Sequence, residues 1–368
     1  MNIPLSTQGR NGVVMVAWLF LSFTLLFQSQ SAFGEIDLDD DITSQCTSFT
    51  TETTEAQRNA IEGMLAGRDH RLWHNFFHGV RSAWLGLTAD QQNLLANIHP
   101  TLVPPHPVTN ANTIDAEDFL YFHHQMVLMV RRMLVEAGQP CIASWGTIPK
   151  PSDTAWPMPP LWTGADGIVA FAKSSAGYFN MVGMENTEFH NDSWLRQQKL
   201  LGDMGQVMSD SLHRLFHARF SAEPNPSVRP LLNISQAPDE VFNDKSYNNL
   251  RDGYATTVNP YFWKLHGYVD DVIFRWLKVR GYTKIAVQCP LTSSGKPDPK
   301  CYQWRGTWVG PDPEVVCDCP ENEDDPDHVH VDILDKFFQY KIDHPETKDS
   351  LDLLLKTIDA AAGNPSTN

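Results

Sequence analysis

His70-Arg71-Leu72-Trp73-His74 and His213-Arg214-Leu215-Phe216-His217 are two copies of one pattern, a histidine pair enclosing Arg-Leu-aromatic. Each copy is followed at the same distance by another histidine. His123 lies 49 positions after His74, and His266 lies 49 positions after His217. Every histidine of the second set stands 143 residues after its counterpart in the first. Histidines at i and i+4 share one face of a helix, one turn apart. An imidazole from a neighbouring helix can then close a three-nitrogen site. The two sets predict His70, His74 and His123 as ligands of one metal ion and His213, His217 and His266 as ligands of a second. His78 extends the 70/74 stripe by another turn, so a first site using His74 and His78 stays open. It breaks the 49-residue match and ranks second.

Apolar periodicity places every one of these histidines on a helix. One helical pattern starts near Thr54 and runs through Ile61, Leu65, Leu72, Trp73 and Phe77. A helix is expected over 82–98, with Leu87-Thr88-Ala89-Asp90 reading as an N-terminal cap. Strong helices are expected over 116–136, carrying His123, and 259–279, carrying His266. Another over 193–220 carries His213 and His217. Pro149, Pro151, Pro157, Pro159 and Pro160 exclude a long helix between Gly138 and Thr187, which reads as an irregular surface segment packed by its aromatics. Residues 283–288 read as a strand, 289–330 as Pro-, Cys- and Asp-rich loop, and 331–362 as one or two amphipathic helices. The pattern predicts a mainly α fold, an antiparallel four-helix bundle enclosing the dinuclear site, with long irregular loops and a small Cys-rich C-terminal extension.

Arg10 is the only charge before Glu35, and an apolar run from Val13 to Phe27 leads to small residues at Ser31, Ala32 and Gly34. This reads as a signal peptide over 1–34, its apolar run shorter than a membrane span needs. An acidic arm over 35–55, a metal-binding helical domain over 56–285 and the Cys-rich loop with C-terminal helices over 286–368 complete the organisation. The chain carries a net charge of −16, and removing the leader with Arg10 makes it one charge more negative. Such acidity disfavours nucleic acid and anionic membranes as partners. The expectation is a secreted or periplasmic protein without stable membrane insertion. Six cysteines in an exported chain favour disulfides, with local bridging among Cys289, Cys301, Cys317 and Cys319. Asn191-Asp192-Ser193 and Asn233-Ile234-Ser235 are glycosylation sequons. Sequence leaves oligomeric state open.

Imidazole-only sites suit copper, zinc, iron and nickel. A metalloprotease would place Glu after the first histidine of the pair as its base. Arg71 and Arg214 stand there instead, which removes that chemistry, and the lack of Asp or Glu at ligand spacing argues against other metallohydrolases. His99 and His106 read as loop histidines. His328-Val329-His330 beside an acidic Cys-rich stretch reads as solvated loop.

Asn259-Pro260-Tyr261-Phe262-Trp263-Lys264-Leu265-His266-Gly267-Tyr268-Val269-Asp270 resembles the second-copper segment of the type 3 copper proteins, the tyrosinases, catechol oxidases and hemocyanins. Phe119-Leu120-Tyr121-Phe122-His123-His124-Gln125-Met126 is similar to the first-copper helix in its arthropod wording. The resemblance covers roughly residues 65–280, by motif spacing. It implies two copper ions held by the six histidines, with Asp270 orienting an imidazole behind the ligands and Phe262, like Arg214 and His78, either behind the ligands or near the substrate. His124, beside His123, reads as structural. The implied activity is oxidation of o-diphenols or o-aminophenols to quinones by dioxygen, within an apolar shell of Trp73, Phe76, Phe119, Phe122, Phe216, Phe262 and Trp263. The alternative it implies is a hemocyanin-like reversible dioxygen carrier. Arg214 stands where many tyrosinases carry Asn, the residue associated with deprotonating monophenols, so monophenol hydroxylation loses that support. Position 265 is Leu where the family often has His. A lid or placeholder role for 286–368 is a hypothesis from position alone.

Overall fold

Thr54 begins the first helix because its side chain accepts from the Gln57 backbone N–H at 3.1 Å while the Gln57 side chain accepts from the Thr54 N–H at 2.8 Å. Such reciprocal caps satisfy two donors that a helix start otherwise orphans. Gln57 then donates to the Pro140 carbonyl at 2.6 Å, which docks this helix against the end of the His123 helix. The computed structural model describes residues 36–37, 46, 48–66, 68–104, 113–225, 244–306 and 333–363. The leader, much of the acidic arm, His106, Asn233, Cys317, Cys319, His328 and His330 lie outside them.

The pattern from Thr54 divides into α1 (Glu55–Leu65) and α2 (Arg68–Ala83). The first helix is capped at Ala66, whose N–H reaches back to the Glu62 carbonyl at 3.1 Å. A short turn over Trp84–Gly86 separates α2 from α3 (Ala89–Ile98), so the helix expected from 82 starts at Ala89. Its cap is Thr88, as the sequence predicts, with Gln91 completing the box. α4 (Thr113–Glu136) carries His123. The Pro-rich stretch through Pro160 is irregular, with Trp145 and Trp156 buried within it. Helix resumes earlier than the proline pattern suggests, as α5 (Gly167–Lys173) and α6 (Ser175–Met184). Asp166 and Ser174 cap them through their side chains, and no proline interrupts them.

The helix expected over 193–220 is broken into α7 (Asp192–Gln197), α8 (Leu201–Met208), a π turn over Ser209–His213 and α9 (Arg214–Phe220). α10 (Pro260–Arg280) starts at Asn259, whose side chain accepts from the Tyr261 N–H at 3.0 Å. It stops at Gly281, whose φ of +81° suits a residue lacking Cβ, while the Tyr282 N–H reaches back to the Leu277 carbonyl at 3.0 Å. α11 (Ile333–Asp343) and α12 (Lys348–Ala362) follow.

The fold is mainly α, with its helices around one large apolar core. α4 lies along α8, and α2 lies along the C-terminal α12. α10 packs on α4 and α7. These pairings do not by themselves make an antiparallel four-helix bundle. Two small sheets edge the helices. β2 (Phe49–Thr50) pairs in parallel with β3 (Cys141–Ile142). β4 (Lys284–Ala286) lies between β1 (Ile36–Asp37), antiparallel to it, and β5 (Cys301–Gln303), parallel to it.

Two disulfides, Cys46–Cys141 and Cys289–Cys301, fasten the sheet regions and fit an oxidising compartment. The second is local bridging of the kind the cysteine spacing predicts. Among the described residues no helix is long and apolar enough to cross a membrane. The described parts of 286–368 pack on the flank of α2 and on α4: Asn75 donates to Asp359, Phe76 meets Phe337, and Tyr121 meets Trp304.

Candidate metal centre

His74 and His78 project from one face of α2, their ring centroids 4.4 Å apart. His123 comes to them from α4. Its Nε2 is 3.3 Å from Nε2 of His74 and 3.2 Å from Nε2 of His78. Nitrogens bound tetrahedrally at 2.0–2.1 Å to one ion lie roughly 3.3 Å from each other, so these separations suit a shared cation. In the second group His213 ends the π turn, His217 lies on α9, and His266 comes from α10. Their centroids lie 4.5 Å (213–217), 5.0 Å (213–266) and 5.7 Å (217–266) apart. The π turn, which ends at His213, accommodates an extra residue per turn.

The first group therefore contains His78, and His70 is outside it. This grouping follows the second-ranked register, His74 with His78. α2 begins at Arg68, so His70 sits on its first turn and is half-buried. Arg71 is fully buried and donates to the carbonyls of Ala66, Tyr247 and Asp244. That clamp fixes the first turn of α2, and the next two turns carry the buried His74 and His78 to His123. The second group is His213, His217 and His266, the residues the sequence pattern proposes.

The two groups abut. The rings of His123 and His266 stack with centroids 4.2 Å apart and planes 8° apart. All six imidazoles are buried, His78 being the most accessible at 7%. Burial disfavours the charged form and holds every one of the six below the ordinary histidine pKa, His74 at about 3 and His217 at about 4. They are therefore neutral at physiological pH, with lone pairs free for a metal. Nε2 of His213, Nε2 of His217 and both ring nitrogens of His266 are buried without a hydrogen-bond partner among the described residues. Orphaned buried polar atoms are costly, and a coordinated cation would relieve that cost at the second group. Among the described residues no carboxylate or thiolate joins either group.

Backbone carbonyls set the tautomers. Nδ1 of His74 lies 2.8 Å from the Gly253 oxygen, Nδ1 of His123 2.8 Å from the Phe119 oxygen, and Nδ1 of His217 2.5 Å from the Leu250 oxygen. A carbonyl only accepts, so each Nδ1 carries the hydrogen and Nε2 is left for the metal.

Asp270 Oδ1 lies 2.7 Å from Nδ1 of His124, which belongs to neither group. Both residues are buried. The pair ties α4 to α10 one residue from His123 and one turn from His266. Phe262 touches both groups, 4.0 Å from His266 and 5.2 Å from His74. Phe119 does likewise, 4.5 Å from His123 and 4.8 Å from His213. Phe122 lies 5.4 Å from His123. Phe77, absent from the expected shell, completes that of the first group at 5.3 Å from His78. Of the expected shell, Trp73 packs near His99, Phe76 on Phe337, Phe216 on Trp145, and Trp263 behind Phe262. His99 is buried and held by Thr101 at 2.8 Å, apart from both groups. Arg214 is half-buried beside His213, with Nε enclosed and unpartnered among the described residues.

The chain matches no model of a known protein family and no curated protein. Two buried, adjoining three-histidine groups in a mainly helical protein are what the site presents, an arrangement consistent with a dinuclear metal centre.

Proposed function

We propose that the six histidines hold two copper ions and that the protein oxidises o-diphenols or o-aminophenols to quinones with dioxygen. The observation that carries this reading is the stacking of His123 on His266, which makes two all-imidazole sites into one centre. Neutral nitrogen donors without carboxylate or thiolate suit copper, and the motif resemblance to type 3 copper proteins supplies the chemistry. His74, His78 and His123 would hold one ion, and His213, His217 and His266 the other. A copper pair, when bound, supplies two-electron exchange with dioxygen. Four electrons and four protons reduce dioxygen to water, so two diphenols become two quinones per dioxygen consumed.

The protein's own residues do the rest. The carbonyls of Gly253, Phe119 and Leu250 orient three imidazoles. Phe77, Phe119, Phe122 and Phe262 exclude water from the nitrogens. Arg214 leaves the position beside His213 without the asparagine associated with monophenol deprotonation, so diphenols are the favoured substrates. The burial of all six histidines favours the alternative, reversible dioxygen carriage without turnover.

The test is copper analysis of the purified chain, addition of hydrogen peroxide, and turnover on matched mono- and diphenols. The expected result is two coppers per chain, a near-ultraviolet charge-transfer band and faster turnover of the diphenol. Fewer than two coppers would sink the proposal, and the band without turnover would select the carrier.

A further inference from the structure

We infer that one stretch of backbone, Leu250–Gly253, sets both three-histidine groups at once, and that Asp252 is the positioning residue that holds it. The inference rests on reading the two groups as metal sites. Two carbonyls three residues apart each take the Nδ1 hydrogen of one imidazole, Leu250 from His217 in the second group and Gly253 from His74 in the first. Two other imidazoles contact carbonyls of their own stretch of chain. His123 uses the carbonyl of Phe119, four residues earlier on its own helix, and His213 leans on Ser209 in the same way. An imidazole tied within its own helix keeps its tautomer wherever that helix moves. An imidazole tied to a separate segment depends on that segment staying in place.

What keeps it in place converges on Asp252, which is 2% exposed. Its carboxylate accepts from the Tyr254 N–H at 3.0 Å and from the Tyr247 hydroxyl. Its backbone carbonyl accepts from the N–H groups of Ala255 and Thr256, each at 2.9 Å, and its own N–H donates to Asn249 at 3.1 Å. The Thr256 hydroxyl donates at 3.0 Å to the same Leu250 oxygen that serves His217. Tyr247 is in turn held through its carbonyl by Arg71 of α2 at 2.7 Å. At the other end, Gly253 donates to the Ala362 carbonyl of α12 at 3.4 Å, and a Cβ there would lie 3.3 Å from that oxygen. The segment is thus braced on both sides, and the carboxylate of Asp252 closes its turn upon itself. Groups behind metal-bound histidines alter affinity by 10–100-fold when removed. A group behind one histidine of each site should act on both sites together.

The experiment compares the full chain with Asp252→Asn, each with labelled histidines and loaded anaerobically with cuprous ion. Proton exchange at Nδ1 is followed for His74, His123 and His217 by NMR, and metal affinity by chelator competition. The expected result is exchange about tenfold faster at His74 and His217 with His123 unchanged, and affinity about tenfold weaker for both ions. Change at only one of the two histidines, at neither, or equally at all three would overturn the inference, the last because it marks general loosening. If Asp252→Asn does not fold, Tyr247→Phe removes only the hydroxyl that the carboxylate accepts from and carries the same test. Failure of the wild-type chain to bind metal would sink the parent reading. Exchange on the metal-free chain would still decide whether the segment positions both imidazoles.

Discussion

At the scale of single residues, the choice between His70 and His78 separates a sequence pattern from a site. Both lie one turn from His74 on the same stripe, so either makes an i, i+4 pair. His78 is buried with its Nε2 3.2 Å from that of His123, and His70 is half-buried at the start of α2. His78→Ala should therefore leave one tightly held metal ion per chain, the affinity of the first site falling by more than about 100-fold, beyond what loss of a supporting residue costs. His70→Ala should retain both. Metal analysis after dialysis against a weak chelator distinguishes the two, and loss of an ion from His70→Ala alone would restore the 49-residue register.

At the scale of elements, glycines show where helices meet and where they do not. Gly79 of α2 faces α12 so closely that a Cβ would lie 2.4 Å from the Ile358 carbonyl oxygen and 2.9 Å from its Cγ2. Alanine is the better helix former by about 1 kcal/mol, but a backbone oxygen cannot step aside, and overpacking costs roughly 1–3 kcal/mol. Gly79→Ala should be destabilising on balance and should loosen α12 from the helix that bears His74 and His78. A Cβ added at Gly63 of α1 would meet nothing within 4 Å, so Gly63→Ala should gain about 0.5–1 kcal/mol. Urea denaturation of the pair measures both signs, and equal effects would mean that the α2–α12 approach is looser than the distances state.

At the scale of the whole molecule, what could be read in the sequence depended on which physics the side-chain pattern carries. The second group was legible because no further histidine extends the 213/217 stripe to compete with it. His78 was not selected because the depth of α2 against α4 is set by the buried Arg71 clamp to residues 244–247, far away in sequence. The Leu250–Gly253 bracket left no trace, since backbone acceptors have no residue type. The π turn that ends at His213 was equally hidden, because it changes hydrogen bonding and not composition. The cysteines signalled disulfides without choosing partners, and the partners found make a prediction of their own. Cys46–Cys141 closes a separation of 95 residues and Cys289–Cys301 one of 12. Cross-links restrict the unfolded chain more when they close longer loops, about 4.7 kcal/mol for 100 residues against about 3 kcal/mol for 15. The longer one also binds the strand leading to Ala143, whose carbonyl accepts from Lys264 on α10, two residues before His266. Replacing Cys46 and Cys141 by alanine should therefore cost roughly 2–5 kcal/mol and more than the same change at Cys289 and Cys301. Denaturant unfolding of the two double variants, under non-reducing conditions, checks the order. A larger loss from the shorter loop would show that native contacts around Cys289–Cys301, not chain entropy, set the contribution of these bridges.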